Sequence, residues 1–304
     1  MGENKRCYAV IRVDDDAMTR FAAVHGVQFN ALLLSGELAV ELSENKGNVK
    51  KSDSIELFVN LLRDETLTDL EIESLSADDI AAIRPYLKGL KHFSMTACRD
   101  VEDISFIEDM TELESLDLLA NWAVKALPNF TRLPSLTKLS VVGNYKSIGV
   151  SGLADSSIKS LEFFFGRETV ESDESVTPFG FDIFTRMPRL HTYKTNWHRS
   201  ADSRADLLAI VNAPRLMRLI MPNDSFTFAQ FAWLRAQCPL MLGLECVREL
   251  NYRDEETPWQ VLGIEYGGRY FSTDDAMEIR DRFEELVKIF KRVEYPPSDS
   301  ERVL

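Results

Sequence analysis

Cysteine is scarce in this chain of 304 residues: four stand at positions 7, 98, 238 and 246, with no Cys-x-x-Cys pair and no matching histidine spacing. That pattern excludes a disulfide framework and a cysteine zinc site, and it leaves reduced, buried thiols as the expected state. No stretch approaches the roughly 18 consecutive apolar residues of a membrane span, so no membrane association is expected. The opening "MGENKRCYAVIRVDDD" has too short an apolar run, closed by three Asp residues, to be a secretory signal. Arg6 stands where an N-myristoylation motif needs Ser or Thr. A cytoplasmic protein is the expectation. Basic residues are the minority, 35 against 49 acids, for a net charge of −14. Without a basic stripe, a nucleic-acid ligand would have to be held without counterion release, so none is expected and a basic protein is the better partner.

The familiar catalytic patterns are missing as well. The four histidines, 25, 92, 191 and 198, include no His-x-x-x-His, and there is neither a Gly-x-x-x-x-Gly-Lys loop nor a Gly-x-Ser-x-Gly elbow. Asp runs at 14–16, 78–79 and 274–275 stand where helices are expected to start, and carboxylates there favour the positive end of the helix dipole. No catalytic residue, metal ligand or cofactor is assigned.

What is present is a phrase used repeatedly. "TRLPSLTKLSVVGN" (131–144) returns as "TRMPRLHTYKTNWH" (185–198) and as "VNAPRLMRLIMPND" (211–224). Aligned on Leu-x-x-Leu-x-Leu-x-x-Asn, eight windows begin at 67, 90, 113, 136, 158, 190, 216 and 241, at intervals of 23, 23, 23, 22, 32, 26 and 25. Spacing held while letters drift is the mark of one structural unit used many times. This resembles the leucine-rich repeat family over residues 65–250, with departures: Asn fills the ninth position only at 121 and 144, and Cys98 is the permitted alternative. The resemblance implies an α/β solenoid, with parallel strands on a concave face, short helices or turns on the convex face and α/β caps at both ends. The eighth window is the least certain unit.

The first, fourth and sixth positions of each window are expected to form a shared core. Between them, "SADDIAAIRPYLKG" (76–89), "SADSRADLLAIVN" (200–212) and "SFTFAQFAWLRAQ" (225–237) each begin with Ser and carry helical apolar spacing, whereas "ALPNFTRLP" and "GLADSS" allow only about a turn. Three regions follow: an N-terminal α/β cap (1–54), a solenoid of seven or eight units (55–250) and a C-terminal cap (251–304). The first is expected as a strand at "CYAVIRV", a helix from Asp14–Asp16, a strand pair around Ser35-Gly36 and a linker at 43–54. The last is expected as a hairpin at Gly267-Gly268, a helix capped by Ser272 and Asp275 with Ala276, Ile279, Phe283, Leu286, Val287 and Phe290 on one face, and a loose tail.

Side chains alternate across a strand, so the third, fifth and seventh positions are expected on the open face. There the seventh column supplies Glu73, Leu119, Val142 and Phe164, the fifth Glu71, Asp117, Glu162 and Lys194, and the third Asp69. Phe165 and Trp197, at the eighth position, add two aromatics. An apolar centre edged by carboxylates suits a contact surface for a basic protein, aromatic residues being frequent interface anchors. In the rival arrangement these side chains fold back under the acidic insertion at 166–180 or pack laterally. The function expected is protein binding through the concave face, in its sharpest form as an inhibitor or immunity protein of a toxin. A scaffold or adaptor, or an enzyme with its site in a terminal cap, is the alternative.

Overall fold

Period-two alternation of apolar residues builds the strands, because successive side chains leave a strand on opposite faces. The computed structural model describes residues 7–12, 37–42, 59, 63, 68–73, 75–98, 100–143, 148–165, 180–196, 202–249, 259–266 and 269–298. The chain forms two compact units, Met1–Ile158 and Lys159–Leu304. Each is a mixed α/β arrangement in which parallel strands are joined by short helical returns.

In the first unit, β1 (Cys7–Arg12) pairs antiparallel with both β2 (Glu37–Leu42) and β3 (Asp69–Glu73). Parallel pairing then carries β3 onto β4 (His92–Thr96), β5 (Ser115–Leu119) and β6 (Lys138–Gly143). The register aligns Leu70, Phe93, Leu116 and Leu139 in one row and Ile72, Met95, Leu118 and Val141 in the next, none more than 3% exposed. Full burial of each such side chain stabilises by about 1.5–3 kcal/mol, so these two rows and the buried Leu90, Leu113 and Leu136 behind them hold the unit together. The strand expected at the N-terminus is β1. The strand beyond Ser35-Gly36 is β2, and its partner is β1. The helix expected from Asp14 and the linker at 43–54 lie outside the described residues.

The first return is helix α1 (Ala77–Ile83), closed at its start by a reciprocal capping box between Ser76 and Asp79. Pro85 follows within a 3₁₀ turn, Arg84–Tyr86, where an α-helix could not continue without losing a backbone donor. Later returns are single 3₁₀ segments at Ser105–Asp109, Phe130–Arg132 and Ser151–Leu153, which put Phe106, Phe130 and Leu153 into the core. Charges link one return to the next: Arg84 meets Asp109 at 3.0 Å, and Arg132 meets Glu108 at 2.9 Å.

The second unit repeats the scheme. β7 (Ser160–Phe165), β8 (Thr192–Thr195) and β9 (Arg218–Ile220) run parallel, with Leu161, Tyr193 and Leu219 aligned and buried. The returns are a 3₁₀ segment, Phe181–Arg186, then α2 (Ser203–Val211) and α3 (Phe228–Gln237). Both helices fall where the apolar spacing predicts them, but neither starts at the expected serine. Asp202 caps α2 by accepting from the Ala205 amide, and Thr227 caps α3 in a box with Gln230. Ser225 instead donates to the Pro222 carbonyl at 2.9 Å.

The eighth window begins as expected and then departs. Met241, Leu244 and Cys246 are buried at its first, fourth and sixth positions, and Leu242 makes a parallel bridge to Arg218. Gly243, at φ +94°, lies so close to β9 that a Cβ there would stand 1.8 Å from the Leu219 carbonyl oxygen. Beyond it β10 (Val247–Glu249) turns away to pair antiparallel with β11 (Trp259–Val261). β11 is one arm of the expected C-terminal hairpin, but it pairs chiefly with β10 and meets the other arm through one bridge, Trp259 to Phe271. Gly267-Gly268 lies outside the described residues.

Helix α4 (Thr273–Phe290) starts at Ser272, whose hydroxyl accepts from the Asp275 amide, and it buries Ala276, Phe283, Leu286 and Val287. The tail beyond it is not loose as far as Ser298. The Trp233 indole donates to the Val293 carbonyl at 2.9 Å, Gln230 donates to the Pro297 carbonyl at 3.1 Å, and Pro296 and Pro297 are buried. The reason is that α3 carries three side-chain donors, Gln230, Trp233 and Gln237, along the side where the tail runs, and backbone carbonyls there satisfy them.

Candidate functional site

In the first unit the open face is built by the residues that alternate with the core rows. Register places Asp69, His92, Ser115 and Lys138 in one rung, Glu71, Ser94, Asp117 and Ser140 in the second, and Glu73, Thr96, Leu119 and Val142 in the third. Every one of these twelve is half-buried or exposed. β3 contributes a carboxylate at each of its three outward positions, Asp69, Glu71 and Glu73, and Lys138 is the one lysine among the twelve. The Thr68 hydroxyl donates to Asp69 at 2.6 Å, which orients the first of those carboxylates. Asp69, Glu71, Glu73, Asp117, Leu119 and Val142 therefore share one face of one sheet, and the carboxylates lie toward its β3 side.

Two features of the strand ends hold this face in register. Asn121 is fully buried, accepts from the Cys98 amide at 3.0 Å and donates to the Met95 carbonyl at 2.6 Å, so it ties one turn of chain to the preceding one. Ala97 and Ala120 adopt left-handed conformations, φ 52° and 54°, and Gly143 stands at φ 151°. All three occupy the eighth position of their windows, where the chain turns out of the strand. The Ala97 amide donates to the Leu119 carbonyl at 2.8 Å.

In the second unit Glu162 and Lys194 face one another across β7 and β8 and form an ion pair, both about one third exposed. Glu162 thus does not stand as a lone carboxylate on an acidic edge. Parallel neighbours in register lie about 4.8 Å apart, close enough for opposite charges to meet. Phe164 follows on β7, half-buried. The side chain of Phe165, the whole of Trp197 and residues 166–179 of the acidic insertion lie outside the described residues.

Burial favours the neutral form of three groups in the second unit. Burial pushes the Cys246 thiol up to about 12, with the Glu284 carboxylate adding to the effect, and it raises Cys238 as well. Burial likewise raises the Tyr193 phenol. Asp206, also buried, accepts from the Phe181 amide at 2.8 Å, a structural use of its charge. Among the described residues no group of three His, Cys, Asp or Glu side chains could hold a metal ion, and no helix is long and apolar enough to cross a membrane.

One exposed cluster has no counterpart in the sequence reading. Met217, Leu240 and Leu242 are 45%, 76% and 57% exposed, on the edge of the second unit where the chain enters its strands. The signal for it lies in the recurring phrase itself: "PRL" at 188–190 and 214–216 becomes "PLM" at 239–241, exchanging an arginine for a leucine at an outward turn position.

No protein-family model matches the sequence, and no curated protein matches it.

Proposed function

We propose that the chain is a leucine-rich repeat solenoid that binds a basic protein through the open face of its parallel strands. In its sharpest form the proposal is an inhibitor, such as the immunity partner of a basic toxin. The observation that carries it is the triple carboxylate of β3, Asp69, Glu71 and Glu73, set in register beside Ser94, Asp117 and the half-exposed Leu119 and Val142. Clustered surface charge of one sign raises the encounter rate with an opposite charge more than it raises affinity, and apolar contacts beside it supply slow release. A chain of net charge −14 strengthens the steering.

The test uses the full chain immobilised in a lysate of its source, beside Glu71→Lys/Asp117→Lys and Phe164→Glu/Trp197→Glu double variants of unchanged melting temperature. The expected result is one basic protein captured by the parent, lost from the first variant, and inhibited in its own activity when the chain is added back. Loss from the second variant as well would show that residues of the unit Lys159–Leu304 also take part in binding. Identical capture by all three would place binding away from the open face, and a captured protein whose activity is unaffected would make the chain an adaptor.

A further inference from the structure

The strand-entry edge of the unit Lys159–Leu304 carries a chemistry opposite to that of the β3 face. Backbone hydrogen bonds set its rungs: the Met217 amide donates to the His191 carbonyl at 2.9 Å, and the Leu242 amide to the Met217 carbonyl at 2.8 Å. His191, Met217 and Leu242 therefore form one row. Arg189, Arg215 and Leu240 stand at equivalent turn positions, each directly before the first core residue of its window. Arg218 follows Met217 on β9 and is exposed. Successive rungs lie about 4.8 Å apart, so three exposed apolar side chains and three arginines share a compact stretch of edge.

A single exposed leucine is ordinary, but a cluster of large apolar side chains on adjacent rungs is the kind of surface that a partner covers. The charge around it says which partner. In a chain with 49 acids, the turn positions 189, 191, 215, 217, 240 and 242 and the strand-start positions 192 and 218 beside them hold three arginines and no carboxylate. The nearest carboxylate in sequence, Glu245, accepts from the Gly243 amide at 3.2 Å. A second copy of the chain docked symmetrically would set this same patch against itself, arginine facing arginine.

We propose that this edge is a docking surface for an acidic amphipathic segment of a partner protein. Apolar residues of that segment sit on Met217, Leu240 and Leu242, and its carboxylates pair with Arg189, Arg215 and Arg218. Arginine suits the role because its planar fork binds a carboxylate through two parallel hydrogen bonds.

The experiment selects displayed random 12-residue peptides on the full-length protein and then measures the winners as fluorescein-labelled synthetic peptides. The expected winners combine Asp or Glu with Leu, Phe or Trp. Their dissociation constants should rise about tenfold or more in Leu240→Ser/Leu242→Ser and in Arg215→Glu/Arg218→Glu, the loss typical of removing an interface anchor. Glu71→Lys/Asp117→Lys should leave them unchanged, which separates this edge from the face proposed above. All these substitutions fall on half-buried or exposed side chains, and matching melting curves verify folding. The inference is overturned if only basic peptides emerge, if none emerges, or if acidic winners bind both edge variants like the parent. It is equally overturned if sedimentation shows a dimer of the parent that Leu240→Ser/Leu242→Ser abolishes, since the edge would then be a self-association surface.

Discussion

Asn121 closes two hydrogen bonds at once, one to the Cys98 amide and one to the Met95 carbonyl, at a site with no exposure at all. Its truncation would strand both backbone groups away from water, and each such group costs about 1–3 kcal/mol. Asn121→Ala is therefore expected to lower stability by about 2–6 kcal/mol in urea unfolding, at an unchanged m-value. Ser156 is the contrast: its hydroxyl is buried and has no hydrogen-bond partner, so Ser156→Ala removes a polar group that nothing satisfies. That variant should match the parent or gain up to about 1 kcal/mol. Cys246 makes a third prediction, in pH. Its folded pKa, pushed up to about 12 by burial, lies above the value near 8.5 of an exposed thiol. The native state therefore holds its proton more tightly than the unfolded one. The contribution is complete below about pH 8.5 and is lost as pH rises toward 12. Melting temperature should fall less steeply between pH 8 and 11 in Cys246→Ala than in the parent, and parallel slopes would show that the thiol is not the group responsible.

For the elements, placement and termination were legible to different degrees. Helices α1, α2 and α3 lie where apolar spacing predicts: a buried stripe at helical period fixes the body of α1 and of α2, whereas α3 is buried on every side from Phe228 to Leu234. Their first residues depend instead on one oxygen reaching one amide. Ser76 does so, but Ser225 does not, although Thr227 and Gln230 spell the Thr-x-x-Gln box that marks the true start of α3. Thr227→Ala should cost about 1–2 kcal/mol and Ser225→Ala under about 0.5 kcal/mol in thermal unfolding. The reverse order would move the cap. The start of the tail is held for a related reason: "PPSDSERVL" has no period of its own, and what fixes Pro296 and Pro297 is the row of donors on α3, some sixty residues away. Local composition carries no trace of such a contact.

Across the molecule, the core columns were the most readable feature, since a leucine at the first, fourth or sixth position has only the interior to go to. The open face was readable as far as alternation decides it: Asp69, Glu71, Glu73, Asp117, Leu119 and Val142 do share one surface. Pairing across strands was not, so the Glu162–Lys194 ion pair appears only when β7 and β8 are in register. Nor was the arginine and leucine edge, whose meaning depends on three turns lying side by side. Charge gives the last prediction. With 49 acids against 35 bases, repulsion summed over the surface opposes the compact state. Against it stand cross-turn pairs such as Arg84–Asp109 and Arg132–Glu108, each weakened by the solvent that reaches it. Salt screens both, and the sign of its effect shows which is larger. Because repulsion involves the whole excess and the pairs among the described residues are solvated, the melting temperature should rise by a few degrees as the Debye length shrinks from about 30 Å at 0.01 M salt toward about 8 Å at 0.15 M. Glu71→Lys, which relieves crowding among the β3 carboxylates, should raise the low-salt value and flatten the dependence. A melting temperature that instead falls with salt would mean that the ladder of surface pairs outweighs the net charge, and Arg84→Ala would then remove part of that fall.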